Sequence, residues 1–166
     1  MANRIDDLIQ TLNLQAHPEG GYYSETYKNP GKIVTDRGER SLSTAIYFLL
    51  TSGNHSRFHQ LRSDEIWLFH EGSPLTIHIL NADGYKTLSL GPSDGQQQHP
   101  QQLVRAGDIF GATVEAEDSY TLVSCIASPG FDFADFRLLG TQELLAQFPK
   151  HHDIIHKLSS SSPDGL

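Results

Sequence analysis

A chain of 166 residues with 37% hydrophobic content has the length of one domain with a substantial core, and its 14 glycines and 8 prolines imply many turns. A net charge of −8 excludes general attraction to nucleic acid or anionic membrane, and no stretch reaches the ~20 apolar residues of a membrane helix. The single cysteine, Cys125, excludes an internal disulfide and reads as a buried structural thiol; with an acidic, discontinuous N-terminus unlike a signal peptide, it points to a cytoplasmic protein.

Ile5, Leu8, Ile9 and Leu12 recur at helical spacing, with Asn3 as a cap and Asp6 and Asp7 near the N-terminus, which predicts a short amphipathic helix. HPEGGYY at 17–23 is a turn entering a strand; its glycines permit close backbone approach, and Glu19 and Tyr22 can edge a pocket or an interface. Strand-length runs follow at 22–28, 43–50, 56–61, 65–70, 75–80, 85–90, 102–104, 109–114, 120–127 and 131–138, and their number predicts a sandwich or barrel. The runs at 56–61 and 65–70 flank the polar turn Arg62-Ser63-Asp64, the pattern of an antiparallel hairpin. Alternation puts Arg57, His59 and Leu61 on one face and Glu65, Trp67 and Phe69 on one face of the return strand, so that His59 and Glu65 become near neighbours. Asn81-Ala82-Asp83-Gly84 is hairpin-turn chemistry, and 93–101 reads as an exposed loop. Thr141 is placed to cap a helix through Phe148 that Pro149 ends. HHDIIH at 151–156 reads as a solvated terminal helix, since Asp153 stands where a zinc-protease helix carries its glutamate base. One domain over 1–158 and a flexible tail over 159–166 complete the chain.

Gly53, His59, Glu65 and Gly72 fall in register with the first motif of the cupin superfamily. Leu61 stands at that motif's second histidine, and Phe110, in AGDIF at 106–110, stands where the second motif supplies its own. The blocks HPEGGYYSETY (17–27), STAIYFLL (43–50), SRFHQLRSDEIW (56–67), AGDIFGATV (106–114) and PGFDFADF (129–136) resemble more specifically the cupin branch catalogued as DUF985, or cupin type 5. The resemblance implies an all-β double-stranded β-helix (jelly roll) with short N- and C-terminal helices, similar in fold to sugar-nucleotide epimerases of the dTDP-4-dehydrorhamnose type. It also implies a homodimer.

Two chemistries fit these residues. A metal site needs about three protein ligands; His59 and Glu65 supply two, while Leu61 and Phe110 supply none, so no cofactor is expected, with a divalent metal held partly by His59 and Glu65 as the alternative. Without a metal, His59 is the catalytic base, Glu65 orients its ring, Arg57 steadies an anion and Tyr47, or Tyr22 or Tyr23, donates a proton. Leu61, Trp67 and Phe110 complete the expected pocket, Trp67 as an aromatic surface for a sugar or planar ring. The leading reading is a small-molecule pocket protein working as a metal-independent epimerase or isomerase on a carbohydrate-like or sugar-nucleotide ligand. A metal-dependent oxygenase or isomerase, and a non-catalytic sensor or carrier, are the alternatives. Nucleophile-elbow, P-loop and dinucleotide fingerprints are missing.

Overall fold

A computed structural model describes residues 2–95 and 97–159. Helix α1 (Ala2–Thr11) leads into β1 (Gln15–Ala16), β2 (Tyr22–Lys28), β3 (Lys32–Thr35), β4 (Gly38–Ser41), β5 (Thr44–Thr51), β6 (Ser56–Gln60) and β7 (Asp64–Gly72). There follow β8 (Leu75–Asn81), β9 (Gly84–Leu90), β10 (Gln101–Val104), β11 (Ile109–Val114), β12 (Tyr120–Ser128), a 3-10 turn (Phe133–Asp135), β13 (Arg137–Leu138), α2 (Thr141–Gln147) and α3 (His152–Leu158). One sheet has the order β1-β2-β5-β12-β7-β10, a second the order β13-β6-β11-β8-β9, and β3 and β4 form a separate ribbon.

The apolar run of β11 is buried at every position because both faces are covered. Its inward side chains Phe110, Ala112 and Val114 join Phe48, Trp67, Ile77, Ile79 and Val123 between the sheets. On the outer face of the smaller sheet, Phe58 and Ile109 pack against Leu144, Ile155 and Leu158 of α2 and α3. On the outer face of the larger sheet, Leu49 and Leu122 meet Leu8 of α1. The fold is thus an all-β jelly-roll sandwich with short helices at both ends of the chain.

Several expectations need correction. The segments 56–61 and 65–70 are not a hairpin: β6 belongs to the smaller sheet and β7 to the larger, so residues 61–63 carry the chain across the sandwich. The run 131–138 is not one strand: Phe133–Asp135 form a 3-10 turn, pinned by the bidentate Arg40–Asp135 pair at 2.9 and 3.0 Å, and only Arg137 and Leu138 pair as strand. Helix α1 begins ahead of Asn3, leaving Asp6 and Asp7 beyond its first turn; the Asn3 side chain lies outside the described residues. Gly140 rather than Thr141 caps α2, because Thr141 is its first helical residue and bonds Ser159 instead. Ser159 itself caps α3, and the rest of the expected tail, 160–166, lies outside the described residues. No described helix is long and apolar enough to cross a membrane.

Candidate active site

The register of the larger sheet decides which side chains face inward. Glu65 lies opposite Ala127, which lies opposite Thr44; Trp67, Cys125, Ile46 and Glu25 form the next row, and Phe69, Val123, Phe48 and Tyr23 the one after. Apart from Phe69 and Val123, these residues form one wall of a cavity of about 250 Å³, also lined by His17, Glu19, His59, Leu61, Phe131 and Phe133. The exposed Gln15, Glu25 and Phe133 mark its rim.

Glu19 reaches this interior because residues 17–20 form a tight turn. His17 and Gly21 pair across it at 2.9 Å, and Gly20 returns to the His17 carbonyl at 3.0 Å. Gly20 and Gly21 have φ of +108° and +78°, a region that suits glycine. The turn is stitched to β6 by the Arg57 N–H donating to the Glu19 carbonyl at 2.7 Å. The buried Glu19 carboxylate then meets His59 Nε2 at 2.9 Å and accepts from the Ser56 hydroxyl at 3.1 Å.

The proton positions of His59 follow from its partners. Nδ1 lies 2.7 Å from the Arg57 carbonyl, which can only accept, so Nδ1 carries hydrogen and Nε2 is the nitrogen that exchanges a proton with Glu19. Burial opposes a charge on His59, but the Glu19 carboxylate and these bonds outweigh it and hold the imidazole above its ordinary value. Burial likewise opposes the Glu19 charge, and His59 and His17 hold that carboxyl below its ordinary value. The two form an ion pair.

Glu65 is the contrasting carboxyl. One oxygen accepts the Trp67 indole N–H at 2.6 Å, its one hydrogen bond among the described residues. Burial, then the Glu19 charge, push its pKa up to about 7, against the opposing effects of His59 and the indole. His17 is the fourth polar group. Its Nδ1 accepts the Glu19 N–H at 3.1 Å, so the neutral ring carries its proton on Nε2, which has no protein partner among the described residues. Burial holds His17 below its ordinary value despite the neighbouring Glu19.

The structure therefore brings His59, Glu65, Leu61, Trp67 and Tyr23 to one cavity and leaves Arg57, Tyr47, Tyr22 and Phe110 outside it. Arg57 turns away, donating to the Pro18 carbonyl. Tyr47 is on the outward face of β5, near the ring of His70, because it is out of phase with Ile46 and Phe48. Phe110 lies behind the cavity, its ring 4.1 Å from that of His59 and 6.3 Å from that of Trp67. Tyr23 lines the cavity, whereas Tyr22 packs on the α1 side. The carboxylate that holds His59 is Glu19, not Glu65, since His59 and Glu65 come from opposite sheets. The sequence signal for Glu19 was its place between Pro18 and two glycines, which marks a carboxylate carried inward on a turn.

Residues 6–139 match the family model described as Cupin superfamily (DUF985). The chain belongs to this family. It is 30% identical over 157 residues to the uncharacterized protein YML079W of Saccharomyces cerevisiae, covering 84% of this chain and 78% of that protein. It is 40% identical to the crystal structure of protein SO0799 from Shewanella oneidensis, with a TM-score of 0.88 and coverage of 95% and 98%. Oxalate decarboxylase from Bacillus subtilis shares the fold alone, at 13% identity and a TM-score of 0.57, over 93% of this chain and 39% of that one.

Cupins invite the question of a metal, and the donor set at this site does not fit one. Leu61 and Phe110 carry no donor atom, and both nitrogens of His59 are already committed, one to a carbonyl and one to Glu19. Among the described residues no group of three His, Cys, Asp or Glu side chains is arranged to hold an ion.

Proposed function

We propose that this cupin is a metal-independent isomerase that moves a proton on a carbohydrate-like small molecule, with the Glu65 carboxyl as the acid and base. The observation that carries the reading is the contrast between two carboxyls in one cavity. Glu19 is fixed by His59 and Ser56, while Glu65 has a single indole donor and an oxygen left for a ligand. Environments that push two such groups apart assign the proton-transfer role to the one that titrates near neutrality. This revises the sequence-based assignment, in which His59 was the base and Glu65 its orienter. His59 and Glu19 instead supply the fixed charges that tune Glu65.

In this mechanism the Glu65 carboxylate takes a proton from the carbon beside a ligand carbonyl, and the C–H electron pair moves into an enediol. His17 Nε2–H donates to the former carbonyl oxygen, and the vacated nitrogen accepts the proton of the neighbouring hydroxyl. Glu65 then returns its proton to the adjacent carbon. One poised carboxyl suits this one-base isomerisation. The cavity of about 250 Å³ lies below the ~300–1,000 Å³ usual for ligand sites and favours a sugar-sized group over a whole sugar nucleotide.

The test is carbon-bound deuterium incorporation from D2O into a panel of aldo- and keto-sugars. Exchange should occur with the wild-type protein and fall at least about 100-fold in a folded Glu65→Gln variant. Wild-type exchange rates in that variant would sink the assignment, and saturable binding with no exchange would identify a sensor or carrier pocket instead.

A further inference from the structure

A second recess of about 380 Å³ lies on the other side of the 17–20 turn from the cavity, lined by His17, Pro18, Gly20, Gly53, Asn54, His55, Arg57, Lys157 and Ser159. In a chain of net charge −8 this lining holds, among the described residues, an arginine, a lysine and two histidines and no carboxylate. Among the described residues Arg57 alone of the arginines has no carboxylate partner: Arg4, Arg37, Arg40, Arg62, Arg105 and Arg137 are each paired. Its guanidinium is instead anchored through one N–H to the Pro18 carbonyl, which leaves further donors of the planar fork for another acceptor. Lys157, on α3, likewise has no ion-pair partner among the described residues. His55 Nδ1 is buried without a hydrogen-bond partner among the described residues, so His55 meets the recess through the rest of its ring.

We propose that this recess binds the phosphate group of a phosphorylated small molecule, with Arg57 and Lys157 as its cationic contacts and His55 and Asn54 as neutral polar ones. A phosphate supplies the acceptors that the Arg57 fork lacks and neutralises two charges that no carboxylate among the described residues balances. Burial and the charge of Lys157 both hold His55 below its ordinary value, so its ring is neutral and reports the local positive potential. A bound anion reverses that influence and raises the His55 pKa. His17 lines both recesses, but the phosphate site stands on its own residues and its readout is binding, so its failure is separable from failure of the isomerase reading.

Inorganic phosphate, a hexose phosphate and a nucleoside diphosphate are titrated separately at matched ionic strength, with His55 followed by NMR and affinity by calorimetry. Phosphate should bind saturably and raise the His55 pKa. Lys157→Gln should weaken binding several-fold, Arg57→Gln by at least about tenfold, and Arg57→Lys should recover part of the loss. Tighter binding of the hexose phosphate assigns the phosphate to a sugar, and tighter binding of the nucleoside diphosphate assigns it to a nucleotide. A response to phosphate no larger than to sodium chloride, or one unchanged in both Lys157→Gln and the folded Arg57→Gln variant, would overturn the site.

Discussion

Replacing Trp67 with phenylalanine keeps an aromatic ring in the cavity wall and removes the indole N–H that donates to Glu65. That bond stabilises the ionised carboxylate and therefore lowers its pKa, so its loss raises Glu65 above about 7. For a reaction that needs the ionised form, the rising limb of the exchange-rate profile should move to higher pH in Trp67→Phe, by up to about one unit. An unchanged midpoint would dissociate Glu65 from the reaction. His59, Glu65, Leu61 and Trp67 were legible because one motif and strand alternation place them inward. Glu19 was seen only as a residue able to edge a pocket, because the pairing of residues 40 apart depends on the turn being stitched to β6. Tyr47 was mistaken for a pocket residue because an apolar strand buried on both faces gives no sign of which face is which.

The turn at 17–20 is the element on which the two recesses converge. A methyl group at Gly20 would lie 2.1 Å from the His55 carbonyl oxygen, and the backbone there has φ +108°. Gly20→Ala should destabilise the protein by roughly 1–3 kcal/mol, measured by urea denaturation. Stability equal to wild type would mean that the turn is not held closely against β6. At this scale most strands were legible from their lengths and turn chemistry. The hairpin was not: a polar corner between two aromatic-rich strands looks the same whether the chain folds back within a sheet or passes to the opposite one. The β3 and β4 ribbon was missed because its residues are largely exposed and lack the alternation of a half-buried strand.

For the whole molecule, the jelly roll followed from strand number and the family resemblance, while the homodimer is an expectation of the resemblance to which the surface adds a candidate interface. The β3 and β4 ribbon stands apart from both sheets and exposes Ile33 at 41% and Val34 at 83%. We expect this ribbon to pack against a second copy in a homodimer. Light scattering should give twice the chain mass for wild type and a shift toward monomer for Val34→Asp; a monomeric wild type rejects the interface. The crossing at 61–63 has a mechanical consequence. It ties the two sheets covalently beside His59 and Glu65, and the Leu61 carbonyl there accepts the Gly107 N–H at 2.9 Å. The sandwich is therefore pinned at this margin: the short span 61–63 limits how far apart the two sheets, one carrying His59 and the other Glu65, can lie.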